Sequence, residues 1–392
     1  MFMNYCDTRE VIAKGDYDVV VVGGGIGGVA AAVAAARNGA RVILLEKQIN
    51  LGGLATLGLI NWYEPLCDGN GNQVVGGIGE ELLRLSIRYG MENLPAKWGG
   101  EGRNRCRYDR FATKYSPTVF SLALDAWLKE NGVAIRFDTL ATYPVMEHGK
   151  VAGIVAETVS GKEFYGCKFV VDATGDASVC VGVGLPTRMG SNYLSYVAHW
   201  VTREDMQSDD ENVLRKWLQR GAVASGEGHP EGYPLMTEYD SDSENAFIAW
   251  GKQTVFDAIK DQPKNDRELT SIPTMPQYRK IRCLVGETTF LGDESECEDS
   301  IGTCGDFRQR GPVFHIPYRC LYNRQVSNLI TAGRVVSADG EGWEIVRVIP
   351  VCALTGEAAG TAAAIALKTG KDFASLDVAY LQATLRNQGV LF

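Results

Sequence analysis

Three features of the chain predict an α/β fold: a parallel sheet, a β-meander as one crossover, and a second domain inserted into the first. One is the order strand, glycine turn, helix, strand, acid over Asp18 to Glu46. Another is a set of three strands between Ala141 and Val171, separated by short turns. The last is a change of composition between about Met189 and Cys283.

The first unit begins with Val19 to Val22, a continuous β-branched run suited to a strand buried on both faces. Gly23, Gly25 and Gly28 follow at Gly-x-Gly-x-x-Gly spacing, with Ile26 and Gly27 between them. In that pattern Gly23 permits the tight turn and Gly25 lets a pyrophosphate approach the backbone. Gly28 lets the helix lie close to the sheet. Ala30 to Ala36 reads as a helix of small residues, stopped at Gly39. Arg41 to Leu45 is the next strand. Glu46 ends it, where an acid accepts hydrogen bonds from a ribose 2′-hydroxyl, and Lys47 follows. The helix start offers unpaired N–H groups and a positive dipole end to phosphates. The motif predicts a dinucleotide and does not separate NAD from FAD.

The second unit begins with Ser116 as N-cap and Pro117 as the first helical residue. A helix is predicted to about Glu130, closed by Asn131-Gly132, with a short strand over Val133 to Phe137. The meander strands are Ala141 to Glu147, Lys150 to Val159 and Lys162 to Val171. Their predicted two-residue turns are His148-Gly149 and Ser160-Gly161. The last strand runs into Asp172-Ala-Thr-Gly-Asp176.

A dinucleotide-binding sheet with a meander crossover and an Ala-Thr-Gly-Asp turn resembles the glutathione-reductase-type FAD domain. It is similar to the FAD-dependent oxidoreductases related to the fumarate reductase and succinate dehydrogenase flavoproteins. The resemblance covers the first 60 or so residues, Ser116 to Gly184, and most of the chain after Cys283. It implies an FAD/NAD(P)-binding, Rossmann-like domain carrying FAD. The implied cofactor contacts, beyond those of the first turn, include a second glycine loop with Gly52, Gly53, Ala55 and Thr56, and Ala141 on the meander. Ala173, Thr174, Gly175 and Asp176 belong to the later turn, and Gly333 and Arg334 to a late strand. Ile349, Pro350 and Val351 would open a closing helix aimed at the flavin, with Pro350 as its first residue.

The FAD-binding domain is expected over 1–188 and 284–392. The segment 189–283 is expected to be the substrate or cap domain, and part of 61–110 to join it. Acids cluster there from Glu238 to Glu244. Hydrophobic residues make up 45% and charged residues 22%, as in a globular protein with a large core. A net charge of −9 argues against nucleic acid or an anionic membrane as partner. The ten cysteines are scattered with no Cys-x-x-Cys, and only four histidines accompany them. Reduced cysteines, no metal site and a cytoplasmic protein are therefore expected. No signal peptide is expected, and the uncharged run Val19 to Ala36 reads as a strand and helix, not a membrane span.

For chemistry, Phe314-His-Ile-Pro-Tyr-Arg319 lies just upstream of the late strand. The resemblance implies that such a segment can face the substrate. His315 and Tyr318 suit proton transfer, and Arg347 suits holding an anion; packing or a salt bridge is the other reading of each. Arg103, Arg105, Arg107 and Arg110 form a basic run, read as a solvated loop. Asp68-Gly-Asn-Gly-Asn72 reads as a turn, because it lacks the remaining ligands of a calcium loop. Cys352 would sit in the first turn of the closing helix, in a packing role. No second nucleotide fingerprint follows the first, so a substrate or a partner is expected to exchange electrons with the flavin directly.

The expected activity is hydride transfer between a small organic substrate and flavin N5, with an unidentified electron acceptor or donor. A homo-oligomer is compatible with this. Two other readings stay open: an FAD-binding enzyme of non-redox chemistry, such as a hydratase or isomerase, and a flavoprotein subunit of an electron-transfer complex.

Overall fold

A computed structural model describes residues 8, 10–100, 111–208, 216–223 and 226–392. The run Arg103 to Arg110 lies outside the described residues. The central sheet has seven strands. Its parallel part runs Ala134–Arg136, Val42–Leu45, Ile12–Val22 and Gly161–Asp172 in that spatial order. Val19, Val20 and Val21 have no solvent exposure, as a strand covered on both faces requires.

The first strand is longer than its valine core. It extends back to Ile12 through exposed residues that pair with Glu163 to Cys167, with a register shift between Ala13 and Asp16. On the edge away from Ile12–Val22, Gly161–Asp172 serves two neighbours. Its first half pairs antiparallel with Lys150–Thr158, and Val170 to Asp172 pair in parallel with the late strand Leu329–Thr331. Leu140–Glu147 completes the meander. His148 and Gly149 both have positive φ, at 49° and 76°, the backbone of a two-residue type I′ hairpin loop. The second hairpin loop is Val159-Ser160, one residue earlier than predicted, because Gly161 (φ 98°) already pairs with Thr158.

The helix Pro117–Glu130 starts where predicted, with Ser116 Oγ accepting the Val119 N–H at 3.4 Å. The closing helix Ile349–Thr369 starts one residue before Pro350. It is long and apolar enough to cross a membrane, yet its residues are buried within the protein. Its small residues set the spacing to the first helix, Ile26–Arg37. A Cβ at Gly356 would lie 2.2 Å from the Gly27 carbonyl oxygen, and one at Gly360 would lie 2.1 Å from that of Ala31.

A separate three-stranded antiparallel sheet is formed by Lys216–Gly221, Ser195–Thr202 and Arg267–Ser271, with the helix Ser241–Ile259 packed on it. It has small apolar clusters of its own, around Phe247 and Tyr278 and around Tyr196 and Val255. The chain enters and leaves this unit through a ribbon in which Thr187–Met189 pairs with Arg282–Leu284. After residue 61, Trp62–Tyr63 pairs with Thr113–Lys114, and Ile78–Ile87 packs on the closing helix.

Candidate cofactor track and substrate cavity

The glycine turn shows three different reasons for glycine. Gly23 has φ 100°, a left-handed conformation that a side chain disfavours. A Cβ at Gly28 would lie 1.9 Å from the Gly23 oxygen, so the helix reaches the turn only without one. Gly25 is unlike both. Its backbone is extended, at φ −66° and ψ 175°, and a Cβ there would meet nothing within 4 Å. The fold itself gives no reason for glycine at Gly25. Open space beside bare backbone N–H groups at a helix start is a cradle of the kind a pyrophosphate fills.

Glu46 stands at the end of Val42–Leu45, 8% exposed. Its Oε2 accepts the Gly24 N–H at 2.5 Å and its Oε1 accepts the Gln48 N–H at 2.8 Å. Burial raises its pKa against these bonds, which favour the ionised form. Lys47 beside it is exposed. The second glycine loop lies along the first: Gly52 N–H donates to the Gly24 carbonyl at 2.8 Å, and Gly25 bridges to Gly52 in parallel. Gly53 is beside Gly25, since its Cβ would stand 3.2 Å from the Gly25 Cα. Ala55 and Thr56 are buried in the same loop, where the Ala55 carbonyl accepts the Tyr115 hydroxyl at 2.9 Å. Ala141 is half-buried on the meander, paired with Ala156.

The later turn is braced from beneath. Asp172, fully buried, accepts the Thr174 N–H and hydroxyl and the Cys180 N–H. Ala173 adjoins Gly23, and Arg334 Nε donates to the Gly175 carbonyl at 2.7 Å. Asp176 accepts the Ser178 N–H and, across to the inserted unit, the Tyr239 hydroxyl at 3.3 Å. Gly333, with φ 77°, lies against Gly27, and its N–H donates to Thr355 Oγ1 on the closing helix. The expected residues of the first turn, second loop, later turn and late strand are thus brought together around the Gly25 opening.

A cavity of about 230 Å³ opens between the inserted sheet and the main body. Ile60, Trp62 and Phe307 line it from one side, Val197 and Trp217 from the other, with five charged residues between. Glu64, 8% exposed, lies at the start of the closing helix, where its Oε2 accepts the Ile349 N–H at 3.1 Å. Burial pushes the Glu64 carboxyl up to about 7 despite that bond and the nearby Arg347 and Arg279. Glu344 accepts from Arg347 Nε at 2.8 Å and pairs with Lys280 Nζ at 2.6 Å. Burial works against its charge, but Arg347 and Lys280 hold its carboxyl below the ordinary value.

Among the described residues Arg279 has no such carboxylate contact; its Nη1 donates to the Gln277 carbonyl at 3.0 Å. Burial, then repulsion from Arg347 and Arg334, pushes its pKa down. Its backbone is fixed by Asn192 Oδ1, which accepts the N–H groups of Arg279 and Lys280 at 2.8 and 2.9 Å. The buried Gln277 amide ties the inserted strand to the loop before Glu64. It donates to the Val197 and Gly58 carbonyls and accepts the Val197 N–H.

Of the three residues expected to meet a substrate, only Arg347 lines the cavity. His315 sits on the hairpin strand Val313–Pro317 and places Nδ1 3.1 Å from Ser300 Oγ, away from the cavity lining. Tyr318 is 1% exposed in the core and donates its hydroxyl to the Phe373 carbonyl at 3.0 Å. The hairpin and the turn after it point both side chains into the main body. Burial pushes the Cys352 thiol up to about 12, so it is a protonated packing group. Asp68 accepts the Asn70 and Asn72 N–H groups and closes a turn. Glu64, Arg279, Lys280 and Glu344 were missed by sequence reasoning. Only Glu64 carried a signal, as an acid isolated in the apolar run Ile60 to Leu66.

A family model described as FAD dependent oxidoreductase matches residues 18–271 and 266–385. No curated protein sequence matches the chain. Among solved structures, a geranylgeranyl bacteriochlorophyll reductase-like protein from Thermoplasma acidophilum is 14% identical, with TM-score 0.47, covering 95% of this chain and 84% of its own. A p-nitrophenol 4-monooxygenase from Pseudomonas putida is 15% identical, with TM-score 0.47, covering 97% and 89%. A flavocytochrome c3 fumarate reductase is 14% identical, with TM-score 0.44, covering 90% and 78%.

Proposed function

The chain belongs to the FAD-dependent oxidoreductase family, and from that premise we propose that it transfers a hydride between a small organic substrate and N5 of its FAD. An acceptor or donor outside the chain completes the cycle. Bound FAD supplies the two-electron redox chemistry. One observation carries the reading: a track that fits the dinucleotide leads to a cavity walled by the inserted unit. Gly25 opens the track, Glu46 ends it on the ribose side, and the closing helix begins at the cavity.

The residues divide the work. Glu46 accepts from the ribose, and the Ile26 helix start receives phosphate charge. Gly333, Arg334 and the Thr174-Gly175-Asp176 turn would hold the cofactor between them. The segment 189–283 covers the substrate and excludes water. Glu64 is the proton-transfer group best placed for the reaction. It lines the cavity, and a carboxyl titrating near neutrality can both hold and accept a proton. A substrate losing a hydride also loses a proton, and Glu64 takes it. Arg347 and Lys280, bridged by Glu344, form a fixed polar wall beside it.

Anaerobic absorbance measurements test this reading. A substrate that bleaches the flavin saturably without oxygen, and more slowly when deuterated at the reacting carbon, is the expected result. Turnover without bleaching would replace the proposal with non-redox chemistry. NADH and NADPH are expected to bleach the flavin slowly or not at all, given a single nucleotide fingerprint.

A further inference from the structure

We infer that the cavity is a binding site for a small organic carboxylate, held by the guanidinium of Arg279. The inference rests on the substrate-cavity reading above and names the chemical class of its ligand.

Charge is the first argument. The cavity wall carries three cations, Arg279, Lys280 and Arg347, and two acids, Glu64 and Glu344. Glu344 is shared by Arg347 and Lys280, through contacts of 2.8 and 2.6 Å. The Glu64 carboxyl faces the helix start, where it accepts the Ile349 N–H, and accepts none from Arg279. Repulsion from Arg347 and Arg334 outweighs the pull of Glu64 and Glu344 on Arg279, and among the described residues one backbone carbonyl meets its five N–H groups. Arg279 is half-buried, and a partly desolvated guanidinium without a carboxylate of its own carries an uncompensated cost. It is kept here in place: Asn192 fixes its backbone and Gln277 its Nη1. An anion in the cavity removes that cost, and the planar fork of arginine matches a carboxylate in two-point fashion.

Size and lining choose among anions. At about 230 Å³ the cavity lies at the small end of ligand pockets, which suits a small organic ligand. Ile60, Trp62, Val197, Trp217 and Phe307 give the rest of the wall an apolar and aromatic character. A bare oxyanion such as phosphate leaves that wall without a partner. A carboxylate on a short carbon skeleton satisfies both ends.

Trp62 and Trp217 line the cavity, so tryptophan fluorescence reports occupancy whether or not flavin is present. The purified protein is titrated with butyrate, with its uncharged isostere butyramide and with inorganic phosphate. Butyrate is expected to change the emission saturably, with butyramide and phosphate binding at least about tenfold more weakly, the worth of one charge-assisted contact. Arg279→Gln is expected to weaken butyrate by about 10–100-fold, and Arg279→Lys by less, since charge survives without the fork. Butyramide or phosphate binding as well as butyrate, no saturable change with butyrate, or equal affinity in Arg279→Gln each overturns the inference. The ligand comparison in the unaltered protein decides the matter if the variants do not fold. A colourless protein that still selects butyrate would refute the flavin reading and leave this inference standing.

Discussion

Replacing Glu46 with glutamine tests the cofactor track at its most exacting contact. Two backbone N–H groups, of Gly24 and Gln48, already point at its two oxygens, at 2.5 and 2.8 Å. Glutamine keeps one oxygen and turns an NH2 group toward the other donor. It also removes the charge that a ribose hydroxyl would meet in an 8% exposed pocket. Hydrogen bonds to charged groups contribute about 1.5–3 kcal/mol. FAD is thus expected to bind the Glu46→Gln apoprotein roughly 10–100-fold more weakly. Titration of flavin fluorescence against apoprotein measures this, and a melting curve without FAD measures the loop's own loss. An unchanged FAD dissociation constant, with only a lowered melting temperature, would show that Glu46 braces the turn and does not touch the cofactor.

Other predictions concern charge and position. Glu357 is 1% exposed in the middle of the closing helix, where it accepts the Ile78 N–H at 2.8 Å, and burial pushes its carboxyl from 4.5 up to about 8. The folded protein then holds a proton that the unfolded chain releases, so this group's contribution to stability is lost as pH rises from about 4.5 through 8. At 1.36 kcal/mol per pH unit the ceiling is about 5 kcal/mol, and Glu357→Gln should flatten the fall in melting temperature up to pH 9; a variant that falls as steeply as the parent contradicts it. Butyrate affinity should drop roughly tenfold as pH rises through 7, because ionised Glu64 adds a negative charge to a wall already holding Glu344, Arg279, Lys280, Arg347 and Tyr193. Glu64→Gln should abolish that step, and a step retained in the variant assigns it elsewhere. His315→Ala should keep full FAD content and parent butyrate affinity; a tenfold loss of either would place His315 nearer the site than its Ser300 contact does.

The parts legible in the sequence are those that local chemistry decides. Val19 to Val22 form a buried strand because β-branched residues suit one, and His148-Gly149 adopt the positive φ of a tight hairpin. Ser116-Pro117 announces a helix start with a capping hydroxyl and a preset φ. The strand residues before Asp18 were not legible, because exposed Lys14, Gly15 and Asp16 give no alternation and owe their strand to pairing with the meander. Glu64 and Arg279 are far apart in the chain and meet only because Gln277 ties the inserted strand to the loop before Glu64. No spacing rule reports such a meeting. The His315 and Tyr318 segment shows the same limit of sequence reading. Its residue types suit catalysis, but the hairpin and the following turn aim them at Ser300 and Phe373.

The central claim is that the opening beside Gly25 holds FAD. Its backbone conformation suits any residue and the space around it is empty, so Gly25→Val should fold with the parent's thermal stability in the absence of flavin. The visible spectrum of both proteins, with the flavin released by heat identified by chromatography, tests the claim most directly. A yellow parent releasing one FAD per chain and a folded, colourless Gly25→Val protein are expected. A Gly25→Val protein with full FAD, or a colourless parent that takes up NAD and not FAD, would contradict it.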